Sequence, residues 1–145
     1  DSQPCLVGSE MCIRDSYQPG AVVMCCGADS LSGDRLGCFN LSLQGHSQCI
    51  EYVARTGVPT LVLGGGGYTL RNVARCWCYE TGRLMGKDLD DELPTKALSE
   101  LYYYLDNGRL RIAVSNMRNA NTRAELERTR DAVLEQLSRL PARAP

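Results

Sequence analysis

Two residues stand where a chain of this kind could do chemistry. Asp29 lies in Cys26-Gly27-Ala28-Asp29-Ser30, and Tyr68 closes Gly64-Gly65-Gly66-Gly67-Tyr68. A carboxylate can serve as metal ligand or base, and a phenol can donate to a carbonyl oxygen as it gains negative charge. Each also has a bland reading. Asp beside Gly is commonly an Asx-turn residue, and composition alone favours that reading of Asp29. One carboxylate does not make a catalytic zinc site, which takes about three protein ligands. Tyr68 could equally be an aromatic staple at a helix start. The run of four glycines favours the donor reading. Bare backbone lets a ligand or another backbone approach closely, and a packing aromatic does not require it.

Arg71 is a second anomaly. It falls in the first turn of the helix that follows Tyr68, where a cation opposes the helix dipole by roughly 0.3–1 kcal/mol. Arg35 lies in the loop after Asp29. Two arginines near one helix N-terminus make an anion site together with free backbone donors. The competing reading is that both are solvated or paired to acids such as Asp34, and the sequence does not choose between them. His46, the only histidine, reads as a helix-surface or core-edge residue, since one His makes neither a dyad nor a multi-His metal site. The glycine run lacks the Gly-Lys-Ser/Thr ending of a phosphate loop, and it does not fit G-x-G-x-x-G.

These residues need elements to position them. Ala21 to Cys26 is a continuous apolar run of strand length, the kind that suits a parallel strand covered on both faces. A polar, Gly-punctuated loop follows to Gly37. Ser42 can cap a helix running to about Thr56, ended by Gly57 and Pro59. Thr60 to Leu63 is a second short buried strand. Strand, helix and strand make a βαβ unit with a right-handed crossover, so the Asp29 and Tyr68 loops leave the same carboxyl edge. Open α/β sheets build ligand crevices at that edge.

Thr69 can cap the next helix, whose Leu70, Val73, Ala74, Trp77, Leu84 and Met85 predict a buried stripe. Gly82 and Gly86 leave its end open. Residues 87–95 read as an acidic loop, and Leu98–Leu105, with Tyr102-Tyr103-Tyr104, as a short helix. Asp106-Asn107-Gly108 reads as a turn and Leu110–Val114 as a short extended piece. Thr122 with Glu125 is a capping-box signature. The amphipathic helix behind it carries Leu126, Val133, Leu134, Leu137 and Leu140 and stops at Pro141.

Composition narrows the class. A length of 145 residues with 43% hydrophobic content allows one packed domain at most. A net charge of −1 offers no basic footprint for nucleic acid. No run reaches transmembrane length, and the start has no signal-peptide core. Eight cysteines would suggest a disulfide scaffold. Yet Cys25 and Cys26 fall in an apolar strand, and Cys49, Cys76 and Cys78 in helices, where Cys is a small hydrophobe. Cys76 and Cys78 face different directions. No pair has CxxC spacing, which argues against structural zinc. The implied compartment is reducing, cytosol or nucleus.

The same residues carry a resemblance. Cys26-Gly27-Ala28-Asp29-Ser30-Leu31-Ser32-Gly33-Asp34-Arg35-Leu36-Gly37-Cys38-Phe39-Asn40-Leu41, Gly45-His46, and Leu63 through Trp77 resemble the class I zinc-dependent histone deacetylases. The likeness continues through Tyr79-Glu80-Thr81, Glu92-Leu93-Pro94, Ser115-Asn116-Met117 and Leu140-Pro141. Arg35, where class II members carry Pro, points to class I. The resemblance implies the α/β, three-layer arginase/deacetylase fold, with parallel strands flanked by helices. It implies hydrolysis of the acetyl amide on lysine side chains, acetylated histone tails foremost, in chromatin regulation and transcription repression. By residue match, Asp29 would be one of three ligands to Zn2+. Tyr68 would stabilise the oxyanion opposite the metal. Leu36 would line the rim of the acetyl-lysine tunnel, and Gly66 and Gly67 its floor. Arg35 and Arg71 match arginines that bind inositol tetrakisphosphate between such enzymes and co-repressor complex proteins. Nuclear localisation is implied, with the cytoplasm as a second compartment, and neither nucleic acid nor membrane is a direct partner.

The chain also departs from the family's pattern, and the departures matter more than the match. The other Asp and His zinc ligands, the paired-His base and the K+ sites precede Tyr17 in the family, and residues 95–115 diverge. The expectation is therefore the C-terminal part of a deacetylase catalytic domain over residues 17–145, inactive by itself. Residues 1–16, with Met11-Cys12-Ile13-Arg14-Asp15-Ser16, read as a non-native or disordered leader, like a translated library adapter. Two other readings stand beside the first: a non-catalytic α/β module binding an inositol polyphosphate or other anion, and an acetylpolyamine-type amidohydrolase. Open strand edges further predict poor solubility of the isolated chain.

Overall fold

Strand, helix and strand form where the apolar runs and caps place them. In the computed structural model, β1 is Val22–Cys25, α1 is Leu43–Ala54 and β2 is Thr60–Leu63. The model describes residues 17–94 and 108–139. The leader at 1–16, the short helix at Leu98–Leu105, the first two residues of the 106–108 turn and the stop at Pro141 lie outside those residues. β1 and β2 pair in parallel, from Val22 opposite Thr60 to Cys25 opposite Leu63. Ser42 Oγ accepts from Gly45 N at 3.0 Å and starts α1. A short 3-10 turn, Ala28–Ser30, follows β1. Helix α2, Leu70–Leu84, runs through Gly82, and Gly86 with φ of 67° follows it. Helix α3, Arg123–Ser138, opens with the full Thr122–Glu125 capping box and buries none of its residues. Val22–Met117 makes one compact unit, and α3 belongs to the other.

Three expectations are corrected. The strands are not covered on both faces. Val22, Met24, Thr60 and Val62 are half-buried, while Val23, Cys25, Leu61 and Leu63 are exposed. An apolar run fixes strand length but does not supply a covering layer, and none of the described residues provides one on that side. The predicted stripe of α2 is also wrong. Leu70, Ala74, Trp77, Leu84 and Met85 are exposed, and Asn72, Arg75, Cys76, Tyr79, Glu80 and Gly82 are buried. Hydrophobic periodicity cannot register polar residues whose burial is offset by hydrogen bonds. Here Asn72 Nδ2 donates to Ser32 O at 3.2 Å and Arg75 donates to Asn72 Oδ1 at 3.0 Å.

Thr69 is the N-cap of α2 but makes no side-chain cap bond, because Thr69 Oγ1 donates instead to Gly33 O at 3.0 Å. Leu110–Val114, expected as a short extended piece, joins neither strand of the sheet. Leu110 N donates to Asp91 O at 2.6 Å, Arg111 N donates to Asp91 Oδ1 at 2.7 Å, and Leu110 and Ile112 are buried.

The core therefore sits beneath the loops. Ala28 and Leu31 after β1, Leu43 at the start of α1, Cys76 and Tyr79 of α2, and Leu110 and Ile112 form its buried cluster. Across the helices, Arg83 of α2 grips Glu51 of α1 through Nε at 2.6 Å and a second nitrogen at 3.1 Å. Leu43 is fully buried in this cluster. Leu43→Ala is expected to cost about 2–5 kcal/mol through lost burial and the cavity left behind. A denaturant midpoint unchanged by the substitution would show that the core is not where the structure puts it.

Candidate functional site at the strand ends

The two strand exits stay paired after the strands end. Cys26 N donates to Leu63 O at 2.9 Å, and Ala28 N donates to Gly66 O at 2.6 Å. That second bond presses Gly66 against the Asp29 carboxylate. A Cβ on Gly66 would lie 2.0 Å from Asp29 Oδ2, and one on Gly67 would lie 2.5 Å from Val73 Cγ2. The glycine run is thus a close-packing device facing Asp29. Asp29 is half-buried, and its carboxylate makes no hydrogen bond or ion pair among the described residues. It is not the Asx-turn residue that composition favoured.

Asp34 takes that role and extends it. Its Oδ1 accepts from Leu36 N at 2.9 Å and Gly37 N at 2.8 Å, and its Oδ2 accepts from Tyr68 N at 2.8 Å. Burial, the largest single effect, would raise this carboxyl. The backbone N–H groups of Gly37, Tyr68, Leu36 and Thr69 together outweigh it and hold the carboxyl below its ordinary value. Of the two open readings of the arginines, pairing with Asp34 is not what the structure holds, because Asp34 bonds backbone. Tyr68 and Leu36 are exposed, as are Arg35 and Arg71. Neither arginine side chain pairs with an acid among the described residues. The Thr69–Gly33 and Tyr68–Asp34 bonds lay the Arg35 loop against the N-terminus of α2, the end that carries Arg71.

His46, expected at a helix surface or core edge, has more partners than that implies. Its Nδ1 meets Glu80 Oε1 of α2, and its Nε2 lies 3.0 Å from the Gly27 carbonyl oxygen. A carbonyl only accepts, so Nε2 carries a proton. The bond to Glu80 is the main cause that raises His46 above its ordinary 6.5, while burial opposes it and the Gly27 carbonyl adds to the rise. Cys76 Sγ donates to the same Glu80 oxygen at 3.2 Å. Burial first, and Glu80 second, push the Cys76 thiol upward and the Cys26 thiol to about 11. His46, Cys76 and Glu80 place their ligand atoms within 4.8 Å of one another and have the donor types of a metal site. Hydrogen bonds already satisfy them, and Asp29 is not among them. The cluster ties α1 and α2 to Gly27, two residues before Asp29. No local sequence pattern signals it, since His46 and Glu80 lie 34 residues apart.

The βαβ unit gathers a free carboxylate, a glycine run and an exposed tyrosine at one sheet edge, the edge at which open α/β sheets build ligand crevices. Residues 9–84, just over half the chain, match the family model described as histone deacetylase domain. Histone deacetylase 1 of Oryza sativa subsp. japonica is 53% identical over 128 residues, 88% of this chain and 24% of that protein. Type-1 histone deacetylase 1 of Dictyostelium discoideum is 56% identical over 128 residues, covering 88% of this chain and 26% of that one. Probable histone deacetylase 1-B of Xenopus laevis is 49% identical over 129 residues, 89% of this chain and 26% of that protein. The chain belongs to the histone deacetylase family, in its class I branch. It spans about a quarter of the length of the curated relatives it matches.

A His whose folded pKa is raised contributes stability that is full below its unfolded value of 6.5 and is lost as pH rises through the folded value. Thermal unfolding of wild type and His46→Gln, from about pH 6 to about pH 9, is expected to show a gap that closes as pH rises. A gap independent of pH would mean that His46 acts without its charge.

Proposed function

We propose that this chain supplies the carboxylate-and-tyrosine wall of a zinc-dependent deacetylase that hydrolyses acetyl-lysine side chains of histone tails in the nucleus. One observation carries the reading. An unpartnered Asp29 carboxylate lies against bare Gly66, with Tyr68 two residues further along the same loop. Neither a turn nor a packing staple needs that arrangement.

The donors present fit part of a zinc site. Asp29 offers a hard oxygen ligand free of internal bonds, and two further ligands must come from outside this segment. When bound, zinc supplies Lewis acidity and lowers the pKa of water. The chain's own residues do the rest. Tyr68 donates its phenol proton toward the scissile carbonyl oxygen as charge develops there. Exposed Leu36 lines the approach of the acyl-lysine chain. Gly66 and Gly67 form a floor without side chains. His46 is committed to Glu80 and Gly27, so it does not serve as the base that activates water.

Exposed Arg35 and Arg71, without acid partners among the described residues, support a second function on the same loops. That function is binding of a polyanion such as inositol tetrakisphosphate, at the surface that faces co-repressor proteins. Backbone donors at the start of α2 add to it. The acetylpolyamine reading has no observation in its favour.

Tyr68→Phe in the complete zinc-loaded enzyme is expected to lower kcat about 100–1,000-fold on an acetyl-lysine peptide, with zinc content unchanged. Activity retained by that variant would remove Tyr68 from the reaction. The 145-residue chain alone, supplied with zinc, is expected to show no turnover. Titration with inositol tetrakisphosphate is expected to show weaker binding to Arg71→Ala than to wild type, and equal affinities would take Arg71 out of the site.

A further inference from the structure

The two functional loops are joined through one carboxylate, and nothing in the proposed reaction uses it. Asp34 Oδ1 accepts from Leu36 N and Gly37 N, and Oδ2 accepts from Tyr68 N. Gly37 in turn sits on the backbone of Asp29, since a Cβ on it would fall 1.7 Å from Asp29 O. One side chain therefore bonds the rim residue, the backbone beneath the carboxylate ligand and the backbone of the phenol donor.

We propose that Asp34 is the positioning residue of this site: its carboxylate sets the aim of Tyr68 relative to Asp29 and Leu36. The proposal rests on the deacetylase reading for its consequence, though not for its geometry. Bonds from a charged carboxylate to backbone N–H are about twice as strong as neutral ones. They act on backbone, so they fix where the Tyr68 side chain starts without occupying its hydroxyl. The phenol stays available for substrate, while its Cα is tied to the loop that carries Asp29.

The alternative is that Asp34 only keeps the loop folded. Other bonds argue against that. Thr69 Oγ1 to Gly33 O and Asn72 Nδ2 to Ser32 O also fasten this loop to α2, and Ser115 N bonds Ser32 Oγ at 2.8 Å. With Asp34 replaced, those three remain, and what is lost is the tether at Tyr68 itself. Asparagine keeps one accepting oxygen and so keeps only one side of the clasp.

The test uses the complete zinc-loaded enzyme and a four-member set: wild type, Asp34→Ala, Tyr68→Phe and the double variant, with Asp34→Asn as an intermediate. Asp34→Ala is expected to lower kcat about 10–100-fold with KM within about threefold, because misplacement by about 1 Å can cost that much. Zinc content should be unchanged. The double variant should be no more than about threefold slower than Tyr68→Phe alone, since a residue acting only through Tyr68 has nothing left to lose. Asp34→Asn should fall between wild type and Asp34→Ala. Amide hydrogen exchange at Tyr68 should be faster in Asp34→Ala than in wild type, with exchange in α1 unchanged.

Multiplicative losses in the double variant, loss of zinc, or Tyr68 exchange equal to wild type would each overturn the proposal. If wild type fails to deacetylate, the deacetylase reading fails, and the exchange measurement still judges the clasp by itself.

Discussion

The contact between the Gly66 backbone and the Asp29 carboxylate sets the terms for everything around it. Adjacent parallel strands run about 4.8 Å apart, so loops leaving the same ends must cross within van der Waals range or diverge. Here they converge. Ala28 N bonds Gly66 O at 2.6 Å, and Gly66 has no room for even a methyl group. Ordering four glycines costs more backbone entropy than ordering any other residue type. Close packing on both sides offsets that cost. Gly64 lies against the Trp77 ring, whose Nε1 donates to Cys26 O at 3.0 Å, while Gly66 lies against Asp29. The run is thus held between α2 and the Asp29 loop.

The polar interior of α2 gives this contact its rigidity. Asn72, Arg75 and Glu80 are buried, and buried polar groups are stable only when bonded. Asn72 reaches Ser32 O, Arg75 reaches Asn72 Oδ1 and Arg109 O, and Glu80 reaches His46, which reaches Gly27 O. Each of these chains of bonds ends on backbone, most of it in the loops that flank Asp29. An apolar helix face would bury as much area but would not fix where a loop carbonyl points. Directional bonds in a low-dielectric interior do. Helix α2 therefore serves as an anchor for loops more than as a layer over the sheet.

This explains why the sequence is legible in some places and opaque in others. The bounds of β1, α1 and β2 follow from local chemistry: an apolar run, Ser42 as cap, Gly57 after the helix. Local chemistry lies within a few residues and can be read directly. Burial depends on what else packs nearby. So Leu70 and Leu61 were misassigned, and Asn72 and Glu80 were missed. His46 and Glu80 are 34 residues apart, as are Asp34 and Tyr68, and no local pattern reports pairs at that range. The approach of the Asp29 and Tyr68 loops could be anticipated because an unusual glycine run marks it. The residues that support them could not, since Asp34 and His46 have ordinary neighbours and reveal themselves only by what they touch.

One asymmetry runs through the site. Asp34, His46 and Glu80 are all engaged in internal bonds, while the Asp29 carboxylate and the Tyr68 phenol have no partner among the described residues. The Ser30 hydroxyl beside Asp29 is likewise buried without a bond. A carboxylate already bonded inside the protein must surrender that bond before it can hold a ligand, and the exchange returns little. Here the loops are positioned through their amides and carbonyls: Ala28 N to Gly66 O, Tyr68 N to Asp34, and Gly27 O to His46. The side chains that would meet a ligand keep their full bonding capacity. Positioning by backbone leaves the Asp29 and Tyr68 side chains uncommitted, which is what preorganisation of a polar site requires.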